Sequence, residues 1–305
     1  MSIFVSIASY RDPEIVKTLQ SAVDNARYPN DLHFSVLTQE GKNDHPDLYG
    51  FPNMNHQKMH FKDSMGAGYA RKILMETYND QEYFFQTDSH MRFAPNWDVR
   101  MITMLEQCQE ENNEKVILSQ FPAPYQVFTD GRDYFPQGDK SYWSEPSWTS
   151  VVRTSRDEWA GNREEMKDKS KPHKSHTVLA GYIFASGKLP EEVPYDERIS
   201  FMGEELCFAV RAYTRGWEIY APNEMLLWHF YSRRGYSKVW NQRDDVARKM
   251  KWKEIESNSR EIQKNILTGK ETGIYGIGDK RRFAGYQKMV GINFEKFYED
   301  RDGLP

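Results

Sequence analysis

An α/β domain built on a parallel sheet is the fold class that the sequence predicts, and three observations predict it. A β-rich run, Ile3 to Ala8, ends in a polar turn and is followed by a helix start. A second strand pattern, Leu32 to Gln39, closes a strand–helix–strand unit within 40 residues. Further short apolar runs at Tyr83–Thr87 and Val178–Ser186 then alternate with helical stretches.

In chain order, Pro13 with Glu14-Ile15-Val16-Lys17 suits the first turn of a helix, with Asp12 as its N-cap. Residues 41 to 63 are polar, carry several His, Asn and Pro, and are expected to be loop. Gly66-Ala67-Gly68-Tyr69-Ala70-Arg71 opens a helix that runs to about Tyr78. Tyr83 to Thr87 is a short buried strand that stops at Asp88-Ser89-His90. Asn96 to Cys108 reads as helix and Val116 to Gln120 as strand. Residues 122 to 176 are rich in Pro, Gly, Trp, Lys and Arg and read as surface loops, with Glu158 to Lys171 too charged for a core. Glu204 to Thr214 is helical, Trp217 to Tyr220 is a strand, and Leu226 to Phe230 is an apolar run carrying His229. Two charged helical stretches are expected beyond it, so residues 1–232 are assigned to a catalytic domain and 233–305 to a helical extension packed on it.

Composition narrows the function classes. Apolar residues are 38% of the 305, aromatics 14% and charged residues 28%, which is a polar-surfaced globular chain rather than a disordered one. The net charge of −4 does not mark the whole molecule as a nucleic-acid binder. Cys108 and Cys207 have no partners at metal-site spacing and cannot form a disulfide framework, so a reducing compartment is expected. The N-terminal apolar run is too short for a signal-peptide core and lacks a basic leader. No run approaches the roughly 20 apolar residues of a membrane span. The expectation is a cytoplasmic protein without a membrane partner.

The chemistry centres on Asp88-Ser89-His90, at the carboxyl end of a buried strand, where open α/β sheets collect ligands. An aspartate and a histidine two apart can reach one divalent cation, and the imidazole favours Mn²⁺ over Mg²⁺. Such an ion would neutralise a departing diphosphate. An isolated Asp-x-His triplet is more often a capped turn and a surface histidine; its companions raise it above that reading. Ser9, Tyr10, Arg11 and Asp12 place polar groups at a second strand end, where a base and ribose fit. Gly66 and Gly68 allow close backbone approach at a helix start, and Tyr69 and Arg71 in that first turn can meet a diphosphate. Tight packing explains the glycines equally well. His229, after Leu226-Leu227-Trp228, is the natural third metal ligand, although a lone histidine there is usually structural. Glu204 and Glu205, behind Gly203, are candidate catalytic carboxylates facing the reacting sugar; the helix dipole alone accounts for one of them.

These residues resemble a known family, the cytoplasmic Skp1-type polypeptide GlcNAc-transferases. The resemblance rests on Ile3–Glu14, Gly66–Arg71, Phe85-Gln86-Thr87-Asp88-Ser89-His90-Met91-Arg92-Phe93, Ala180–Phe184 and Gly203-Glu204-Glu205, and runs from residue 3 to about 232. It implies a GT-A fold: a nucleotide-sugar-binding sheet flanked by helices. It also implies a UDP-sugar donor, a divalent cation and retention of anomeric configuration. Asp88 and His90 would then hold metal and diphosphate, His229 would join them, Ser9, Tyr10 and Arg11 would meet the nucleotide, and Arg71 the donor. Retention implies either front-face attack, with a diphosphate oxygen helping to deprotonate the acceptor, or a transient enzyme-bound sugar. Residues 122–176 are not matched by the resemblance, and that segment and the region beyond 232 are where an acceptor would be read, so the relative's acceptor does not carry over.

The expected activity is transfer of a hexosyl or pentosyl group to a hydroxyl of a macromolecule, either protein or glycan. One alternative acceptor is DNA carrying hydroxylated or glycosylated bases. Between Arg233 and Lys253 there are eight Lys/Arg against Asp244 and Asp245, interleaved with Tyr236, Trp240 and Trp252, and preceded by Tyr231. A solvated helix face packed through its aromatics explains the same pattern. A catalytically silent nucleotide-sugar binder is the alternative of another class, and the intact Glu204–Glu205 pair argues against it. A phosphoryl or nucleotidyl transferase ranks last, because two-metal chemistry wants clustered carboxylates.

Overall fold

The structure is a computed structural model that describes residues 1–112, 115–128, 131–135, 148–155, 158–165, 170–233, 235–240 and 246–299. Its first half comprises β1 (Ile3–Tyr10), α1 (Ile15–Asn25), β2 (Leu32–Glu40), β3 (Asn55–His60), α2 (Ala67–Met75), β4 (Tyr83–Asp88), β5 (Met91–Phe93), α3 (Trp97–Asn112) and β6 (Val116–Leu118). The middle contributes β7 (Ala123–Pro124), β8 (Gln126–Val127), β9 (Asp133–Tyr134), β10 (Trp148–Ser155), β11 (Glu158–Glu165) and β12 (His173–Ser175). Then follow β13 (Tyr182–Ser186), α4 (Leu189–Glu192), α5 (Glu204–Thr214), β14 (Glu218–Ala221) and β15 (Leu227–His229). The helices α6 (Trp252–Leu267), α7 (Phe283–Val290) and α8 (Phe294–Glu299) close the chain.

Eight strands form the main sheet in the order β12-β14-β6-β13-β4-β1-β2-β3. From β4 through β1 and β2 to β3 the pairing is parallel, and β13 runs antiparallel between β4 and β6. A β-strand sends alternate side chains to opposite faces, and β1 uses both. Ile3, Val5 and Ile7 join a core with Leu19 of α1 and Met101 and Leu105 of α3. Phe4, with Phe84 of β4, faces a second core containing Phe208 of α5, Ile266 of α6 and Tyr286 of α7. Covering on both faces is why these strands read as continuous apolar runs.

Parallel register fixes the site. Ala8 of β1 lies opposite Asp88 of β4, and Thr87 lies opposite Tyr182 of β13, so three strand ends converge on one edge. A second, three-stranded sheet, β5-β15-β7, returns to that edge: His229 pairs with Met91, and the amide of Phe230 donates to the carbonyl of His90 at 3.1 Å.

Several expectations change. Residues 41–63 are not all loop, because Asn55–His60 adds β3 to the outer side of β2. As a half-exposed edge strand reading Asn-His-Gln-Lys-Met-His, it carries no apolar alternation to reveal it. The middle segment holds an antiparallel hairpin, β10–β11, which includes part of the stretch expected to be loop. Among the described residues, three helices follow residue 250 instead of two; α6 and α7 pack against α5. The cap position of α1 is Glu14, not Asp12, and the Asp12 carboxylate instead accepts the backbone N–H of Glu14 at 3.0 Å. Arg11, just after β1, takes the left-handed conformation at φ 46°, which swings the chain out of the sheet and returns Asp12 beneath its edge.

Candidate functional site

A cleft of about 350 Å³ opens at the carboxyl edge of the sheet, and Tyr10, Arg71, Asp88, His90, Glu204, Glu205 and His229 all line it. The strand ends deliver Asp88 and His90, β15 delivers His229, and α2 and α5 point their first turns at it. Nε2 of His229 lies 3.2 Å from Asp88 Oδ2 and 2.9 Å from His90 Nε2. The three candidate ligand atoms all fall within 4.8 Å of one another.

The donor set fits a divalent cation. Bonds of about 2.1 Å at right angles put neighbouring ligand atoms about 3 Å apart, which is the spacing of the two short contacts. Gly181 makes room: a Cβ there would stand 2.7 Å from Asp88 Oδ2 and 3.9 Å from His229. Burial pushes the Asp88 carboxyl upward, yet the His229 hydrogen bond and the Arg71 charge outweigh it and hold the group well below the usual carboxylate range. Burial and the neighbouring His90 push His229 down to about 4, so its imidazole is neutral at pH 7. A carboxylate beside a neutral imidazole is the protonation state that ligation requires.

Arg71 ties this cluster to α5. Its guanidinium lies 3.2 Å from Asp88 Oδ1, bonds Glu204 Oε1, and sits 5.4 Å over the Tyr195 ring. Burial works against its charge, but Glu204, Tyr195 and Asp88 keep it firmly protonated. Burial raises Glu204 despite the Arg71 charge, and its Oε2 is buried without a hydrogen-bond partner. Glu205 accepts the amide of Ala180 at 2.7 Å, and burial together with the Glu204 charge pushes it up to about 7. Gly203 enables this turn: at φ 80° it precedes α5, and a Cβ there would collide with Gln263.

The other predicted residues divide. Tyr10 lines the cleft, and its hydroxyl accepts from Arg248 at 2.9 Å. Ser9 is fully buried, and its Oγ has no partner and no access to the cleft. The Arg11 guanidinium lies 4.8 Å over Phe61, outside the cleft lining. Tyr69 is half-buried and also outside it. Asp12 is buried beneath the cluster, with Oδ2 at 2.7 Å from His90 Nδ1. The side chains of Ser9, Arg11 and Asp12, expected at the nucleotide, and of Tyr69, expected at the donor diphosphate, thus lie outside the cleft lining: Ser9 is buried on a covered face of β1, and the turn at Arg11 folds Asp12 inward. Gly66 and Gly68 pack against the carbonyls of Ser200 and Ile199, where a Cβ would come within 2.2 and 2.1 Å. Gly66 also borders the cleft, so packing and access coincide there.

Sequence reasoning missed Gln39, Gly181 and Arg248. Gln39, the penultimate residue of β2, is buried, lines the cleft, and leaves its Oε1 without a partner. Its signal was the polar residue at a strand's carboxyl end, the same signal that found Asp88. Arg248 is buried and reaches Tyr10, the Ser64 carbonyl and the Val239 carbonyl, so it braces the cleft from behind.

The basic, aromatic stretch turns partly inward. Arg233 bonds Asp12 at 2.9 Å and Arg248 is internal, while Lys249 pairs with Asp63 at 2.5 Å. Arg234, Arg243, Asp244 and Asp245 lie outside the described residues. Tyr231 and Trp240 border the cleft at 42% and 37% exposure, with Trp240 leaning on Phe201 at 4.7 Å.

The sequence profile of the family described as Glycosyltransferase (GlcNAc) matches residues 2–51 and 51–296. The chain belongs to this GlcNAc glycosyltransferase family. The match spans both halves of the cleft, from β1 to α8. Among solved structures, GalNAc-T7 with UDP, GalNAc and Mn²⁺ superposes on the family member at TM-score 0.58 and 14% identity, covering 98% of this chain and 56% of that one. That likeness shows the fold, a GT-A sheet flanked by helices. TarS of S. aureus, residues 1–349, is similar at TM-score 0.47 and 12% identity, over 75% of this chain and 60% of that one. The chain thus spans a little over half the length of these structures. A search of curated proteins finds no match.

Proposed function

We propose that the chain is a metal-dependent glycosyltransferase that moves a sugar from a UDP-sugar to a hydroxyl of a protein or glycan. The observation that carries this reading is the convergence of Asp88, His90 and His229 at the sheet edge, 3.2 and 2.9 Å apart, beside a cleft and within a family of glycosyltransferases. These three side chains would hold the cation, and two imidazoles in the set favour Mn²⁺ over Mg²⁺. When bound, the ion supplies charge neutralisation for the departing diphosphate. The GalNAc-T7 structure holds UDP, GalNAc and Mn²⁺ together, which supports the same combination here.

The uridine end would lie against Tyr10 and Gln39, which pair side by side at the carboxyl ends of β1 and β2 and line the cleft. Arg71 would hold Asp88 and Glu204 in place beside the donor, and Glu204 and Glu205 would face the reacting sugar. Retention is proposed on the resemblance to the Skp1-type family; the anomeric configuration of the product, read by NMR, decides it. Residues 1–232 would form the catalytic unit and 233–305 the extension that braces it through Arg248. Cys108 and Cys207 are both buried and form no disulfide, which supports a reducing, cytoplasmic setting. Among the described residues no helix is long and apolar enough to cross a membrane.

The inward-facing Arg233 and Arg248 favour a protein or glycan acceptor over DNA, because groups spent on internal bonds do not engage phosphates. Loss of acceptor binding between low and moderate salt would reverse that preference. Incubation with Mn²⁺ and a panel of UDP-sugars, followed by mass spectrometry, tests the whole reading. One donor should release UDP, and Asp88→Ala should abolish the release; a chain that binds donor without ever releasing nucleotide is a silent binder.

A further inference from the structure

Asp12 carries more contacts than the turn leading into α1 requires. Its Oδ1 accepts the Glu14 amide at 3.0 Å, which is all that the start of α1 asks of it. Its Oδ2 takes three further groups from two distant segments: His90 Nδ1 at 2.7 Å, Ser89 Oγ at 2.9 Å and Arg233 Nη1 at 2.9 Å. The residue is only 3% exposed, so these bonds are not exchanged for water. A carboxylate only accepts, so the contact with His90 selects the tautomer protonated on Nδ1 and leaves the Nε2 lone pair facing His229 and Asp88. Arg233 opens the segment that carries Trp240 at the cleft wall.

We infer that Asp12 is a positioning residue that fixes His90 for cation binding and anchors, through Arg233, the wall bearing Trp240. This rests on the reading that Asp88, His90 and His229 hold the ion. Outer carboxylates on ligand histidines set ring orientation and basicity, and their loss typically weakens metal affinity 10–100-fold. Arg233 and His90 share one oxygen, so the same residue joins the ion's ligand to the cleft wall.

Isothermal titration of the full chain with Mn²⁺ tests this directly. Asp12→Ala should weaken binding by about 10–100-fold, and ¹⁵N imidazole spectra of the metal-free protein should show His90 losing its Nδ1–H preference. Asp12→Asn keeps the volume and an acceptor for Glu14; it should fold even where the alanine variant does not, and should weaken binding by about tenfold. Trp240 fluorescence should shift in Arg233→Ala while the His90 tautomer stays as in the wild type. Wild-type affinity and an unchanged His90 tautomer in folded Asp12→Asn and Asp12→Ala overturn the inference alone. Failure of the wild-type chain to bind Mn²⁺ overturns the cation reading and this inference with it.

Discussion

Two charge clusters grow from the same two stretches of chain, and the first of them lines the cleft. Asp12 and Glu14 sit two residues apart after β1, and His90 and Arg92 sit two apart after β4. Asp12 and His90 lead to the cleft, with His229, Asp88, Arg71 and Glu204 beyond them. Glu14 and Arg92 lead away from it: Arg92 bonds Glu14 at 2.5 Å and Asp133 at 2.6 Å, with Tyr125 stacked 4.8 Å from its guanidinium. In the second cluster each carboxylate meets the same cation. The first leaves Glu204 Oε2 and His229 Nδ1 buried without partners. The two clusters therefore differ in satisfaction: the Arg92 cluster is paired within itself, and the incompletely paired one is where the proposed reading places the ligand.

The comparison breaks most sharply at Asp88. Asp88→Ala should lower donor turnover by about 10³-fold, the scale of a lost charge-stabilising group, while thermal melting stays near that of the wild type; unfolding of the variant would erase the distinction between the clusters. The Arg92 cluster should respond in the opposite way. Arg92→Met takes the buried guanidinium away from Glu14 and Asp133 and should cost about 3–5 kcal/mol in urea denaturation, with donor turnover per folded molecule within a few-fold of the wild type.

Glu205 sharpens the contrast through pH. Its carboxyl is raised from 4.5 to about 7 in the fold, so the native state keeps a proton that the unfolded chain releases. Its contribution is therefore unfavourable once ionised, and stability falls as pH rises from about 4.5 to about 7. Glu205→Gln should flatten that fall in pH-dependent melting and stabilise the protein at pH 8 by about 3 kcal/mol at most; an unaltered profile would show that the group ionises freely. The smallest effect is expected at Gly181. Gly181→Ala places a methyl 2.7 Å from Asp88 Oδ2 and should weaken Mn²⁺ binding by about tenfold in titration, roughly 1.4 kcal/mol, with little change in melting.

Much of this was legible before folding. Ile3–Ala8, Leu32–Gln39 and Tyr83–Thr87 announced their strands because both faces of a parallel sheet are apolar. Asp88 and His90 stood out as polar groups where an apolar run stops. β3 was illegible, because an edge strand facing solvent needs no alternation, and so were the two-residue strands β7 to β9. At the turn after β1, Ser9, Tyr10, Arg11 and Asp12 looked alike as polar residues at a strand end, yet only Tyr10 lines the cleft.

The sequence by itself determined the α/β class, the positions of the principal strands, and the residue types able to grip a cation. It did so because burial and periodicity are local to each element. Only the tertiary structure decided that His229 meets His90 across 139 residues, that Asp12 stands behind His90 rather than in the cleft, and that Arg71 serves Glu204 as well as Asp88. Those outcomes depend on strand register and on the return of β15 to the sheet edge, and pairing over such separations leaves no period in the chain to read.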